Sequence, residues 1–536
     1  MKNSRYQKMA IDFGTSNTVV AFWNEEKHDV DLHAVENVSL PFSFEQDGRN
    51  IEIPYIPSMI SYQDKNTSFV GAQVIEKMLE KSKGSFRWLK AFIQSRRKIN
   101  YPLSDGTTVD YFTAGRDFLA KILFFAAESG HIDLASGEVA FTVPVESFEY
   151  YTDWLSSTCR DLGIKRYRFL DESSACVFGY DTQLQKKDVY LIFDFGGGTL
   201  DVSVIQIEEQ VDRGIGCRVM GKAGCRIGGR TIDGWLYGDI LKRADMNVLD
   251  AREASALFMR RVEEIKESLT CKDEHTYDIT HELSGLRLKG KYKRSELEDL
   301  LEDNGLYHNI QETIERALRH AYEKGIEKSS IKEALLVGGT SQIPSIRRQV
   351  RTIFGDRTKY FRPYDAVARG ACRFLSSDIE DLYDHIQHDY AIKSYNRKTG
   401  THEFLPLIPR GTQFPTEAGF KKMTMKATRD GQRFLGIDIF ELAEKAACTE
   451  CAGEIVYDLN GCAVFDNNHI GSGESTEFWM NENNPTFIEA IPPGEKGVKR
   501  FSVSFRVGPN KALRVTVRDI LTQKLLYEDY PVVKLK

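Results

Sequence analysis

Residues 191–205 read LIFDFGGGTLDVSVI, and the reading of this stretch decides the fold. It runs like a strand as far as Phe195, halts at Gly196, Gly197 and Gly198, and resumes as a second strand after Thr199. A carboxylate at Asp194 within such apolar text is costly unless something compensates it. Three glycines also weaken a strand unless the backbone must approach something closely. A phosphate with a metal ion meets both conditions. Residues 8–23, KMAIDFGTSNTVVAFW, repeat the pattern, so that Asp12 aligns with Asp194, Phe13 with Phe195 and Gly14 with Gly196. The copies lie too far apart for a solenoid repeat. Two similar lobes, each opening with a hairpin, are the simpler reading.

The rest of the chain supports a large, multi-domain protein. At 536 residues it exceeds what one compact core holds. A composition of 41% hydrophobic and 28% charged residues is that of an ordinary globular protein, and a net charge of −6 argues against a general binder of nucleic acid or membrane surfaces. The opening MKNSRYQKMAIDFG has no secretory apolar core, and no apolar run is long enough to span a bilayer. Nine mostly scattered cysteines fit reduced thiols better than a disulfide framework, which predicts a cytoplasmic protein.

Periodicity predicts helices over 113–129, 148–161, 251–270 and 309–325, a strand ending at Pro144, and proline-interrupted edge strands over 51–62. Residues 333–354 predict a buried strand, a Gly-Gly turn and a helix with Pro344 in its first turn. Near 380 the text becomes acidic and polar, and beyond 390 alternating strands such as RFSVSFRVG and ALRVTVRDI dominate, an all-β unit.

The two glycine turns would point consecutive backbone N–H groups at an anion, with hydroxyls from Thr15, Ser16 and Thr199 beside them. Asp12 and Asp194 would supply oxygens to a hydrated Mg²⁺, which keeps waters and shares phosphates. Gly338, Gly339 and Thr340 end a strand and open a helix, where a nucleotide could lie against bare backbone. Each motif alone is weak; their order and domain-sized spacing carry the signal. Neither a G-x-x-x-x-G-K-[ST] loop nor a dinucleotide fingerprint occurs.

These motifs resemble those of the actin-fold ATPases, and within them the 70-kDa heat-shock chaperones. AIDFGTSNT resembles the family's first phosphate motif, IFDFGGGTLDVS its second and LLVGGTSQIPSIRRQV its adenosine motif. FTVPVESF, LDESSACVFGYD and IGGRTID match further along, and LPLIPRGTQFPT and IPPGEKGVKRFSVSF resemble its peptide-binding β-sandwich. The resemblance implies an α/β two-lobed actin-like ATPase domain over 1–382, a linker over 383–394 and a β-sandwich substrate domain over 395–536.

It further implies ATP or ADP with Mg²⁺, the ion held through water by Asp12, Asp194 and Asp201, with K⁺ as a second candidate. Lys90 would sit by the γ-phosphate, Glu172 by the attacking water and Thr199 at the γ-phosphate. Gly14, Thr15, Ser16, Gly196, Gly197, Gly198, Gly228, Gly229, Glu263, Lys266, Gly338, Gly339 and Thr340 would contact the nucleotide. On residues alone, Lys90 reads as an exposed helical lysine, Glu172 as a helix-entry glutamate, and Glu263 with Lys266 as a surface ion pair. Implied partners are extended polypeptide clients, a J-domain co-chaperone and a nucleotide-exchange factor.

The chain departs from the family in several places. Glu267 and Gln342 stand where the family stacks arginines on adenine, Ser173 replaces a proline, and no helical lid is expected after LLYEDYPVVKLK. Cys448, Cys451, Cys462 and His469 could form a Cys₃His zinc site, but their irregular spacing favours ordinary thiols. The reading is therefore a slow ATP-hydrolysing chaperone. Its rival is a nucleotide-gated, partner-specific binding module that hydrolyses little.

Overall fold

The computed structural model describes residues 6–46, 49–82, 84–95, 100–144, 149–180, 184–210, 214–360, 364–376, 386, 388–396, 400–442, 454–457, 463–466, 477–482, 486–508 and 511–535. The four zinc candidates lie outside these residues, as do 383–385 and 387 of the expected linker, whose residues 389–394 belong instead to a strand, Asp389–Asn396. The chain divides into two compact units. One comprises Met1–Pro144, Trp154–Leu382 and Ala446–Ser472; the other comprises Val145–Asp153, Tyr383–Lys445 and Gly473–Lys536.

In the first unit, the N-terminal motif forms β1 (Lys8–Phe13) and β2 (Asn17–Asn24), an antiparallel hairpin in which Phe13 faces Thr18. Strands β3 (Asp29–Leu32), β4 (Leu40–Gln46) and β5 (Arg49–Pro57) follow. After the helices α1 (Leu89–Gln94) and α2 (Tyr111–Gly130) come β6 (Glu138–Val143), β7 (Arg166–Asp171) and α3 (Glu172–Gly179). The sheet order is β7-β6-β1-β2-β5-β4, with β3 on β2. The prolines of 51–62 suggested edge strands, yet β5 lies between β2 and β4. It is accommodated because its pairing with β2 covers only Ile56 and Pro57.

Local chemistry sets the helix ends. Asp110 caps α2 by accepting the Thr113 N–H at 2.8 Å, and Asp171 caps α3 through Ser174 at 2.8 Å. The buried stripe of α2 includes Phe118, whose ring stacks 5.7 Å from that of Phe13, so the helix packs over the first phosphate motif.

The second motif builds a sheet of the same construction. Strands β8 (Val189–Phe195) and β9 (Leu200–Gln210) pair from Val189–Gln206 to Phe195–Leu200, and β10 (Gly214–Cys225) extends the sheet beyond β9. Helices α4 (Gly229–Arg243) and α5 (Ser255–Cys271) come next. Then β11 (Ile331–Val337) joins β8 in parallel, as β6 joins β1. Helix α6 (Pro344–Phe354) starts on Pro344, whose missing N–H costs nothing at that position.

Apart from the start of the helix Glu149–Asp161, the described elements of the second unit are strands. Its strands are β12 (Asp389–Asn396), β13 (Thr401–Ile408), β14 (Lys421–Lys426), β15 (Gln432–Ile437), β16 (Ile439–Leu442), β17 (Glu477–Trp479), β18 (Thr486–Gly494), β19 (Lys499–Val507), β20 (Ala512–Asp519) and β21 (Leu525–Lys534). Two four-stranded antiparallel sheets, β13-β12-β16-β17 and β14-β19-β20-β21, share one core with the β15–β18 pair. The alternation in β19 and β20 turns Phe501, Val503, Phe505, Leu513, Val515 and Val517 inward, which is why the texture of the sequence there reads so plainly.

Candidate functional site

Both glycine turns close in the same way. The Gly14 N–H donates to the Asn17 carbonyl at 3.1 Å, and the Gly196 N–H donates to the Thr199 carbonyl at 3.0 Å. The internal repeat is therefore a repeat of backbone bonding. Asp12 and Asp194 occupy the same penultimate position in β1 and β8.

The two turns meet within the first unit. A Cβ placed on Gly197 would lie 2.4 Å from Ser16 Oγ, and one on Gly198 would lie 3.6 Å from Thr15 Oγ1. The start of α4 is bonded onto the second turn: the Gly229 N–H donates to Gly196 O at 3.0 Å and the Arg230 N–H to Gly197 O at 2.9 Å. Gly228 has no room for a side chain, since its Cβ would fall 2.5 Å from the Gly197 and Gly198 backbone. Gly338 is equally constrained, with φ +81° and a Cβ position 2.4 Å from Phe195 O. Thr340 Oγ1 donates to Gly196 O at 2.8 Å, which joins the Gly-Gly turn to the same loop.

Around these turns the charges collect. Lys90 is 4% exposed and ion-pairs with Glu172, so the expectation of an exposed helical lysine is overturned. Thr142 Oγ1 donates to Asp12 Oδ1 at 2.7 Å, and Thr199 Oγ1 to Asp201 Oδ2 at 2.7 Å. Burial, and next the Glu172 charge, push the Asp12 carboxyl up to about 6, while Lys90 and Thr142 pull it down. Asp194 is raised as well, by burial first and then by Glu172, Asp201 and Asp12. Asp12, Asp194 and Glu172 thus share the field of Lys90, with Asp201 acting on Asp194, and a cation among them would relieve the repulsion.

A carboxyl raised in the folded state holds its full contribution to stability below its unfolded value of 3.8 and loses it as pH rises through about 6. Asp12→Asn removes that loss. Allowing for partial solvent access, the ligand-free variant should exceed wild type by about 1–2 kcal/mol at pH 8, an advantage that shrinks toward pH 4. Urea unfolding at both pH values checks this, and a pH-independent difference would refute it.

Lys266 does not pair with Glu263 as helix spacing suggested. Its Nζ reaches Asp233 at 2.8 Å and the Gly229 carbonyl at 3.2 Å, while Glu263 faces Arg87 at 3.6 Å. Lys266 therefore ties α5 to the glycine entry of α4. Beyond it, Gly339 faces Tyr364, whose Cε1 lies 3.2 Å from a Cβ placed there. Glu267 keeps solvent access while protein crowds its sides; burial, and then Glu263, push it up to about 7. Its charge is felt by Tyr364 and Tyr55.

Sequence reasoning missed Thr142, Asp233, Trp88, Arg230 and Tyr364. Asp233 could have been found, since it falls four residues after Gly229 on the same helix. Arg230 adjoins Gly229 and Trp88 stands two residues before Lys90, so proximity could have drawn attention to both; Thr142 and Tyr364 are brought in by elements distant in sequence. Among the described residues, no group of three or more His, Cys, Asp or Glu side chains is arranged to hold a bare metal ion.

Comparison with known proteins gives this geometry a context. Residues 140–463, more than half of the chain, match the sequence model of a family described as Hsp70 protein. The chain is 28% identical over 400 residues to a heat shock 70 kDa protein of Penicillium citrinum, covering 72% of this chain and 70% of that one. It is 28% identical over 401 residues to a heat shock 70 kDa protein of Trichophyton rubrum, of which the match covers 54%. It is 24% identical over 541 residues to the chaperone protein DnaK of Thermus thermophilus, covering 95% of this chain and 78% of that relative.

Proposed function

This chain belongs to the Hsp70 family, and from that premise we propose that it binds and slowly hydrolyses ATP in its first unit and holds extended apolar polypeptide segments in its second. Family members are ATPases that use Mg²⁺, and they act on unfolded clients with J-domain and nucleotide-exchange partners. The single observation that carries the reading is the pair of glycine turns whose closest approach brings Ser16 against Gly197 and Thr15 against Gly198. Such turns present main-chain amides to an anion, and the family's two lobes would lie on either side of it.

The residues present fit the nucleotide and its ion. Gly228 and Gly338 pack bare backbone against residues 195–198, where a Cβ would collide, and the crowded carboxyls of Asp12 and Asp194 sit where a cation would favour their charged form. Asp12, Asp194 and Asp201 would hold Mg²⁺ through its waters, and K⁺ would fit the same carboxylates. The chemistry that magnesium would supply there is neutralisation of phosphate charge. Lys90 holds the Glu172 carboxylate through a desolvated ion pair, in place to orient the attacking water. The amides of 196–198 and the Thr199 hydroxyl position the terminal phosphate. Catalysis by this chain is positioning and charge neutralisation.

In the second unit, β13 forms one end of its sheet and exposes most of its residues, Leu405 among them. A strand-like peptide could add to that edge through main-chain bonds. The cytoplasm is the proposed compartment, in keeping with Cys159, Cys176, Cys217, Cys225, Cys271 and Cys372, none of which is in a disulfide.

Calorimetric titration of wild type and Gly228→Ala with Mg-ATP, Mg-ADP and Mg-GTP tests the nucleotide reading. Wild type should bind, and the variant should lose at least about tenfold because its new methyl displaces the 196–198 turn. Absence of binding by wild type would sink the reading. The crowded Glu267 beside Tyr364 favours a second reading, a nucleotide-gated module with relaxed base choice and one dedicated partner. It would bind GTP comparably and would not suppress aggregation of unrelated unfolded proteins.

A further inference from the structure

Arg230 is the second residue of α4, and its position was set by the backbone bonds that fasten α4 onto the second glycine turn. Its guanidinium carbon stands 4.7 Å from the centroid of the Trp88 ring, a cation–π distance. Its Nη2 lies 3.4 Å from the point where a Cβ on Gly198 would be, and Thr15 Oγ1 lies 3.6 Å from that same point. Two donors from distant parts of the chain therefore converge beside a residue that has no side chain to block them.

Trp88 is held in an uncommon state to make this contact. It is buried, at φ 55° and ψ 36°, a region that L residues with large side chains avoid. Arg87 also approaches its ring, at 5.7 Å, and Arg87 faces Glu263. Trp88 directly precedes α1, the helix that carries Lys90. Backbone strain of this kind persists only where the surroundings over-determine it, and it gathers at functional positions.

We propose that Arg230 is a second phosphate-binding cation of this site, held by Trp88 over the Gly196–Gly198 turn and reaching the polyphosphate of a nucleoside triphosphate beside Thr15. The inference rests on the nucleotide reading above. A guanidinium offers a planar fork of donors that matches two oxygens of one phosphate, which an ammonium cannot do. The competing account is a latch, in which the Arg230–Trp88 contact merely fastens α4 to the segment that carries Lys90.

The test is calorimetry on the full chain with adenosine, Mg-ADP and Mg-ATP, using wild type, Arg230→Gln, Arg230→Lys and Trp88→Leu. Arg230→Gln should weaken ATP at least tenfold and leave adenosine within twofold, Arg230→Lys should recover part of the loss, and Trp88→Leu should show a smaller loss of the same selectivity. Equal weakening of adenosine and ATP would establish the latch and overturn the proposal. An unchanged ATP affinity in Arg230→Gln would overturn it too, while leaving the nucleotide reading intact. If wild type binds neither ATP nor ADP, the nucleotide reading fails and this assignment falls with it.

Discussion

Lys90→Ala should reduce phosphate release by about 10²-fold or more while changing ADP affinity little. The ammonium is almost wholly removed from solvent and paired with Glu172, within the field of Asp12 and Asp194. In that enclosed setting a positive charge is worth far more than at a surface. Its loss also takes away the ion-pair partner that holds the Glu172 side chain in place. Asp194→Asn should fall as far, because the proposed hold on the hydrated ion runs through its carboxylate. Steady-state phosphate release by wild type and both variants decides the matter. Three equal rates would end the enzymatic reading.

The second large effect lies in the β unit. Arg500, on β19, donates to Asp519 Oδ2 of β20 at 2.8 Å, and the two are 3% and 2% exposed. Asp519 Oδ1 also accepts the Leu521 N–H at 2.9 Å, so one carboxylate neutralises a buried guanidinium and closes the following turn. Asp519→Ala leaves that charge uncompensated in the interior, and the unit should lose about 3–5 kcal/mol. The paired replacement Arg500→Met with Asp519→Leu should restore most of the loss, since a buried ion pair adds little over apolar packing. Hydrogen exchange of β19 and β20 localises the effect. Unaltered protection there in Asp519→Ala would contradict the assignment of this pair as structural.

The mixed α/β order followed by strands was legible from 8–23, 191–205 and the alternating text after 390, because hairpin turns and period-two burial are local properties. The placement of β5 was not. Its prolines argued for an edge, and only the brevity of its contact with β2 lets them lie inside a sheet. Helix spacing suggested a pair between Glu263 and Lys266, but Asp233 took Lys266 because α4 lies closer to its ammonium than the next turn of its own helix offers. Membership in the Hsp70 family was legible too, because its phosphate motifs are contiguous stretches.

By itself, the order of residues determined the twin hairpins. Asp-Phe-Gly followed by small residues, met twice and each time between two apolar runs, marked a turn at the end of a strand. Tertiary structure alone decided which charges became buried: Lys90 against Glu172, Lys266 against Asp233 and Arg230 over Trp88. Those pairings join residues tens to well over a hundred positions apart. A side chain's solvation and its field depend on everything folded around it, and no short window of sequence contains that information.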